Sequence, residues 1–193
     1  MPVSEAVIAM RTSAWLRPMG ETDLDAVLAW RNAPSVRANM YTTHIITPGE
    51  HARWWSQTRD DPSRRYFIYE TPDGPCGVVG FTRIGEITGE AEWAFYASPD
   101  APRGTGSRME WLALEYAFGP LALQTLRCEV LETNTRVIEL HTRFGFVTAG
   151  TAIRQIDQAR EANIYRLALD KGVWAGLRQS TLDRLDRQQG TAR

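Results

Sequence analysis

The sequence predicts a single α+β domain, and three observations carry that reading. Strand-like runs at Arg65 to Glu70, Cys76 to Ile84 and Ala91 to Ala97 follow one another, the first two joined by the hairpin chemistry of Pro72-Asp73-Gly74. From Ala91 to Phe118 the chain passes from a strand through a Pro- and Gly-rich turn straight into an apolar helix. Across its 193 residues there is no internal repeat and no linker-like break, and that length suits one sizeable core better than two. Two N-terminal helices, an antiparallel run of strands, a βαβ unit and a closing hairpin then form a mixed, mostly antiparallel sheet flanked by helices. The domain is expected over residues 14–178, with 1–13 and 179–193 as flexible or peripheral termini, the polar tail after Gln179 being an exposed helix or disordered.

Taken in order, Trp15 to Met19 reads as a short strand, and Thr22 as the cap of a helix with Leu24, Val27 and Leu28 on one face, ending before Pro34. Asn39 to Thr43 has turn and strand character. Thr47-Pro48-Gly49-Glu50 opens a second helix: a capping threonine, a proline at the first helical position, and a glutamate placed to complete a capping box. That helix carries His51, Trp54 and Trp55, either a core face or a wall for a planar ligand. Gly77 and Gly80 leave room in their strand for close approach of another group. In the helix opening near Gly106, Met109, Leu112, Ala113, Tyr116 and Ala117 recur at helical spacing, while Trp111, Leu114 and Phe118 extend the apolar surface, so burial on more than one face is expected. Thr125 to Leu131 is a strand, Asn134 starts a helix that Gly145 can terminate, and Phe146 to Gly150 and Asn163 to Leu169 supply the last strands.

Charge and composition exclude several classes. Lys and Arg number 22 against 23 Asp and Glu, a net charge of −1, without the basic surplus that nucleic-acid binding usually leaves. Cys76 and Cys128 sit in apolar runs without zinc-ligand spacing and read as reduced thiols, so no metal is expected. No apolar run approaches the roughly 20 residues of a membrane span, and no signal peptide is evident, which places the chain in the cytoplasm.

The chemistry is concentrated in Arg103-Gly104-Thr105-Gly106-Ser107. Amides in the first turn of a helix lack intrahelical partners, the peptide dipoles put partial positive charge there, and glycines let the backbone approach an anion. Arg103 adds a planar fork of donors suited to phosphate. No Gly-Lys-[Ser/Thr] follows, which excludes a P-loop, and Met109 stands where a dinucleotide fingerprint needs its third glycine. Taken alone, the turn also reads as a ligand-free βα connection.

Arg103 and Gly106 match the Arg/Gln-x-x-Gly-x-Gly/Ala loop of the GNAT family of N-acetyltransferases, with Arg108 in the last position. Asn134 with Leu140, Gly145 and Phe146 resembles that family's second segment, where His141 stands at a position often held by tyrosine. Trp30-Arg31-Asn32, Met40-Tyr41-Thr42, His51 with Trp54, Arg65-Tyr66-Phe67 and Gly77 to Thr82 look like the PseH-type subgroup of pseudaminic acid biosynthesis.

That resemblance implies direct acetyl transfer from acetyl-CoA to the 4-amino group of UDP-4-amino-4,6-dideoxy-N-acetyl-β-L-altrosamine. It implies coenzyme contacts at Phe95, Tyr96, Ala97, Arg103, Gly104, Thr105, Gly106, Ser107 and Asn134, although Asn134 is equally a helix cap. Glu129 is the implied base, acting through water, or else a strand glutamate facing solvent; His141 is the implied proton donor to the thiolate, or else a packed helix residue. Arg31, Met40, Tyr41, His51, Trp54 and Arg83 are the implied acceptor contacts: Arg31 and Arg83 for the diphosphate, His51 and Trp54 flanking the uracil. The expected partner is a small-molecule nucleotide sugar, with no nucleic acid and no membrane, and a homodimer is left open. Two other readings stand beside this one: a protein N-terminal acetyltransferase of the ribosomal-protein-modifying type, and a catalytically silent coenzyme-binding module.

Overall fold

The computed structural model describes residues 8–9, 14–156 and 161–190. In chain order the elements are β1 (Ile8–Ala9), β2 (Trp15–Pro18), a 3₁₀ turn (Glu21–Asp23), α1 (Leu24–Asn32), α2 (Pro34–Arg37), α3 (Pro48–Thr58), β3 (Arg65–Thr71), β4 (Gly74–Thr82) and β5 (Glu90–Ala97). They continue with α4 (Thr105–Phe118), β6 (Thr125–Leu131), α5 (Thr135–Arg143), β7 (Val147–Gln155), β8 (Glu161–Asp170) and α6 (Lys171–Gly190). The strands form one sheet in the order β1-β2-β3-β4-β5-β6-β8-β7. Every neighbouring pair is antiparallel except β5 and β6, which run parallel because α4 carries the chain back across the sheet between them.

Strand alternation sorts the side chains into two cores. Phe67, Tyr69, Val79, Phe81, Ala91 and Trp93 face the larger cluster under α4, α5 and α6, while Ile68 and Val78 join Met19, Val27 and Trp55 under α1 and α3. Two glycines of the sheet permit close approaches. A Cβ at Gly77 would lie 2.6 Å from the Met109 methyl of α4, and one at Gly80 would lie 2.6 Å from the Tyr66 ring.

α4 is buried nearly all round because a second layer covers it. The covering element is α6, whose Trp174 indole donates to Glu115 of α4 at 3.2 Å, while Arg178 grips the same carboxylate and lies over the Trp111 ring. This corrects the expected end of the domain. Beyond Gln179 the chain is helical, as one of the two readings had it, but the helix is not simply exposed: it runs on to Gly190 and buries Thr181 and Leu185, the latter 4% exposed. The expected N-terminal tail, 1–13, lies outside the described residues apart from β1.

Thr47, Pro48 and Glu50 form the capping box as read: Thr47 Oγ1 accepts from the Glu50 amide at 3.2 Å, and a Glu50 carboxylate oxygen accepts from the Thr47 amide at 2.7 Å. Thr22 is not a helix cap. It sits inside the 3₁₀ turn, and Asp23 organises this corner instead, accepting from the Gly20 amide at 2.9 Å and from both terminal nitrogens of Arg17 at 2.7 and 2.8 Å. Asn39 to Thr43 pairs with no strand and forms part of a loop.

Candidate functional site

The site begins where two strands part. β5 and β6 pair only at Glu90–Thr125, Ala91–Leu126 and Glu92–Arg127; beyond Glu92, β5 is bonded to β4 alone. α4 opens beside that gap. Its cap, Gly104, has φ 83°, a left-handed conformation that a side chain would strain. The Thr105 amide is taken by the Pro102 carbonyl and the Arg108 amide by the Gly104 carbonyl. Between them, the Gly106 and Ser107 amides have no acceptor among the described residues.

A cavity of about 780 Å³ fills the gap, and all nine expected coenzyme contacts line it: Phe95, Tyr96, Ala97, Arg103, Gly104, Thr105, Gly106, Ser107 and Asn134. Asn134 starts α5 without a side-chain capping bond, which leaves its amide to the cavity wall. A Cβ built on Gly106 would meet Leu140 and Phe95 at 3.5 and 3.6 Å, so glycine here keeps the helix mouth open without relieving any clash. Arg108, the departure from the loop pattern, does not block the cradle. It turns back to donate to the Tyr69 hydroxyl and the Arg103 carbonyl, both at 3.2 Å, and braces the loop from behind. Two further arginines, Arg136 and Arg143, line the cavity. The sequence reading passed over them, yet their seven-residue separation on one helix face was a usable signal. The donors suit a chain of phosphates: main-chain amides, a helix dipole and three guanidinium groups.

A second cavity, about 520 Å³, lies on the other side of β5. Arg31, Met40, Tyr41, His51 and Trp54 line it as expected, joined by Tyr66, Glu50, Glu92 and Glu129. The two cavities share Met40, Tyr41, Trp93, Ala94, Tyr96 and Glu129, so they meet at the point where β5 leaves β6. Arg31 donates weakly to the Thr42 carbonyl at 3.4 Å, and its Nη1 is buried without a partner among the described residues.

Three expected roles are corrected by this geometry. Arg83 is absent from the acceptor-cavity wall: it is exposed, has φ 58°, and pairs with Glu86 at 2.7 Å and Glu92 at 2.8 Å. A guanidinium held by two carboxylates is unsuited to bind diphosphate as well. His51 and Trp54 cannot flank a base between them, since their rings already stack on each other, 5.1 Å apart with planes 23° apart. They form one wall, braced by the edge of Tyr66, and burial holds the His51 imidazole below its ordinary pKa. Glu129 is neither solvent-facing nor poised as a strong base. Tyr41 donates to it at 3.0 Å, Arg154 at 2.8 to 3.1 Å and Arg166 at 3.1 Å. Burial would push its carboxyl up, but these donors outweigh burial and hold it below the usual carboxylate range. Its partners Arg154 and Arg166 lie on β7 and β8, too far along the chain for any local pattern to reveal.

His141 lines the coenzyme cavity but is nearly enclosed. Its Nδ1 lies 2.8 Å from a carboxylate oxygen of Glu110, a buried α4 residue that the apolar helix pattern concealed. Burial disfavours the imidazolium, yet the neighbouring Glu110 outweighs it, and the imidazole is raised to about 10.

Parted strands, an anion-binding helix mouth and an adjoining cavity of about 520 Å³ together define an acyl-coenzyme A transferase site. The family model of the acetyltransferase (GNAT) domain matches residues 14–147, and the chain belongs to that family: it is an N-acetyltransferase that uses acetyl-CoA. Among curated proteins, the acetyltransferase PseH of Campylobacter jejuni subsp. jejuni serotype O:23/36 is 27% identical over 128 residues, covering 66% of this chain and 79% of that protein. The spermidine N(1)-acetyltransferase of Escherichia coli K12 is 26% identical over 144 residues, 74% of this chain and 77% of that protein. Among solved structures, the spermidine N-acetyltransferase of Vibrio cholerae in complex with CoA and spermine superposes with a TM-score of 0.77 at 20% identity, covering 84% of this chain and 98% of the other. The expected GNAT fold is thus the observed one.

Proposed function

We propose that the chain acetylates the 4-amino group of a UDP-4-amino-4,6-dideoxy sugar, with acetyl-CoA in the larger cavity and the nucleotide sugar in the smaller. The observation that carries this reading is Arg31, a guanidinium with an unpartnered buried nitrogen in a cavity that Trp54, His51 and Tyr66 also line. A cation awaiting an anion beside aromatic faces suits a nucleotide better than a simple amine. The likeness to PseH supports the same class of acceptor.

Transfer is direct. The amine nitrogen attacks the thioester carbon, the carbonyl oxygen gathers charge near the unpaired edge of β5 at Phe95, and the thiolate leaves toward His141. Arg103, Asn134 and the Gly106 and Ser107 amides hold the coenzyme. Glu129, kept ionised by its three donors, acts electrostatically: it stabilises the positive charge that develops on the nitrogen as the neutral amine attacks and holds the Tyr41 hydroxyl at the junction of the cavities, and that nitrogen then gives up its proton to water in the open cavity.

One observation favours a second reading, a polyamine acceptor. Glu50, Glu92 and Glu129 line the smaller cavity and suit a cationic chain. A peptide N-terminus is less well served, because Tyr41, beside which an extended chain would have to lie, is already bonded to Glu129. Incubation with acetyl-CoA and a panel of UDP-4-amino sugars, spermidine and spermine, read by product mass spectrometry, separates the readings. A mass gain of one acetyl group on the sugar alone is expected; acetylated polyamine with unmodified sugar overturns the proposal.

A further inference from the structure

Glu110 is the least expected residue of α4, an acid within Met109-Glu110-Trp111-Leu112 that the fold buries completely, at 0% exposure. Burying a carboxylate is costly, and pairing it seldom returns more than an apolar residue of similar size would. Stability therefore gives little reason for it. Its sole partner among the described residues is His141 Nδ1, at 2.8 Å, and its second oxygen is unpartnered there. Around the imidazole stand Trp93, Phe95 and Phe146, with ring centroids at 5.4, 5.9 and 5.0 Å. The Cys128 thiol of β6 also favours the charged imidazole, and both residues line the coenzyme cavity. Burial pushes the Glu110 carboxyl above its ordinary value, while His141 and, less strongly, Arg143 of α5 and Arg184 of α6 favour its ionised form.

The geometry points to Glu110 as a positioning residue that keeps His141 an imidazolium, charged and ready to protonate the thiolate released in the cavity. This rests on the reading of His141 as the proton donor. In the step, a ring N–H bond breaks as the S–H bond of free coenzyme A forms, and the N–H electron pair stays on the ring. A neutral imidazole remains, its other N–H directed at Glu110. Without Glu110, burial among three aromatic rings would drive the ring to its neutral form before the reaction begins, and no proton would be available. The raised imidazole described above agrees with this arrangement.

The chain has three histidines, His44, His51 and His141, so imidazole NMR resolves each titration. In the unmodified protein His141 should stay charged through neutral pH and titrate near 10. In Glu110→Gln it should titrate below 6.5, its ordinary value. In parallel, kcat is followed against pH by free thiol release, with the acceptor that the amine panel selects or with water as a slow acceptor. Glu110→Gln should lower kcat at pH 8 by about 100-fold, with the KM for acetyl-CoA unchanged, and move the alkaline limb of the profile several pH units down. His141→Phe should match it, and the double variant should lose no more than either single one.

An unmodified His141 that is neutral at pH 7 overturns the inference without any variant, which covers the case of Glu110→Gln failing to fold. Slow turnover in His141→Phe with a normal profile in Glu110→Gln overturns the role of Glu110 alone. A normal rate in His141→Phe removes His141 from the reaction, and the inference with it.

Discussion

At the scale of single residues, the coenzyme site depends on what Gly106 lacks. Its missing side chain would meet only ordinary contacts at 3.5 and 3.6 Å, so the fold accepts a substitution that the ligand does not. Gly106→Glu should fold normally yet weaken acetyl-CoA binding by at least about 100-fold in calorimetry, because its carboxylate would face the diphosphate. Asp23 carries a different expectation. Burial opposes its charge, but Arg17 and the Gly20 amide outweigh burial and hold the carboxyl below 3.8. A carboxyl lowered on folding contributes its stability above the unfolded value and loses it as pH falls through the folded one. Acid unfolding of the native chain should therefore steepen below about pH 4, and Asp23→Asn, destabilised by about 1–3 kcal/mol at pH 7, should show a flatter acid limb in urea titrations. Residues were legible in the sequence where local chemistry named them. Arg103, Gly106, Thr47 and Asn134 each sit in a short pattern with a mechanical reason. Arg83 was misjudged because its sequence says nothing of Glu86 and Glu92, which claim its guanidinium.

At the scale of elements, the strands and helices followed from periodicity and punctuation, and the misreading came where a helix lacks an apolar stripe. α6 beyond Gln179 alternates Arg, Asp and Gln with single apolar residues, yet Leu185 is buried against the same core as Trp174 and Phe144. Leu185→Ala should cost about 2–4 kcal/mol in chemical denaturation, a loss that a peripheral tail could not produce. The buried faces of α4 were foreseen from Trp111, Leu114 and Phe118, but the element covering them was not. Burial announces a partner without naming it. Glu110 escaped notice for the converse reason: a glutamate in a helix normally faces water, and only the arrival of α5 from thirty residues downstream makes this one internal.

At the scale of the molecule, the parallel pair in an otherwise antiparallel sheet sets the layout. α4 brings β6 back beside β5, and the two strands hold together for three pairs before separating. Amides from Trp93 to Ala97 have lost one neighbouring strand, and acetyl-CoA should protect them. Hydrogen exchange at residues 93–97 should slow on adding the coenzyme, while Gly77 to Phe81, already paired on both sides, should change little. Equal protection with and without coenzyme would place it elsewhere. The existence of this site could be read from the Arg103 to Ser107 turn. Its joining to the acceptor cavity could not, because that junction is assembled from residues between Met40 and Glu129 that share no local pattern.

The parting of β5 and β6 also bears on how such a chain can diverge. One compartment holds its ligand in part through peptide groups, which any side chain supplies alike, so much of it survives mutation as long as the glycines, Arg103, His141 and the strand geometry are kept. The other is bounded by Arg31, Glu50, Trp54 and Glu92, whose identities are everything. Drift can rewrite the choice of amine while leaving the acetyl donor undisturbed. Relatives at about 27% identity can accordingly carry names as different as PseH and a spermidine acetyltransferase while sharing a single donor chemistry.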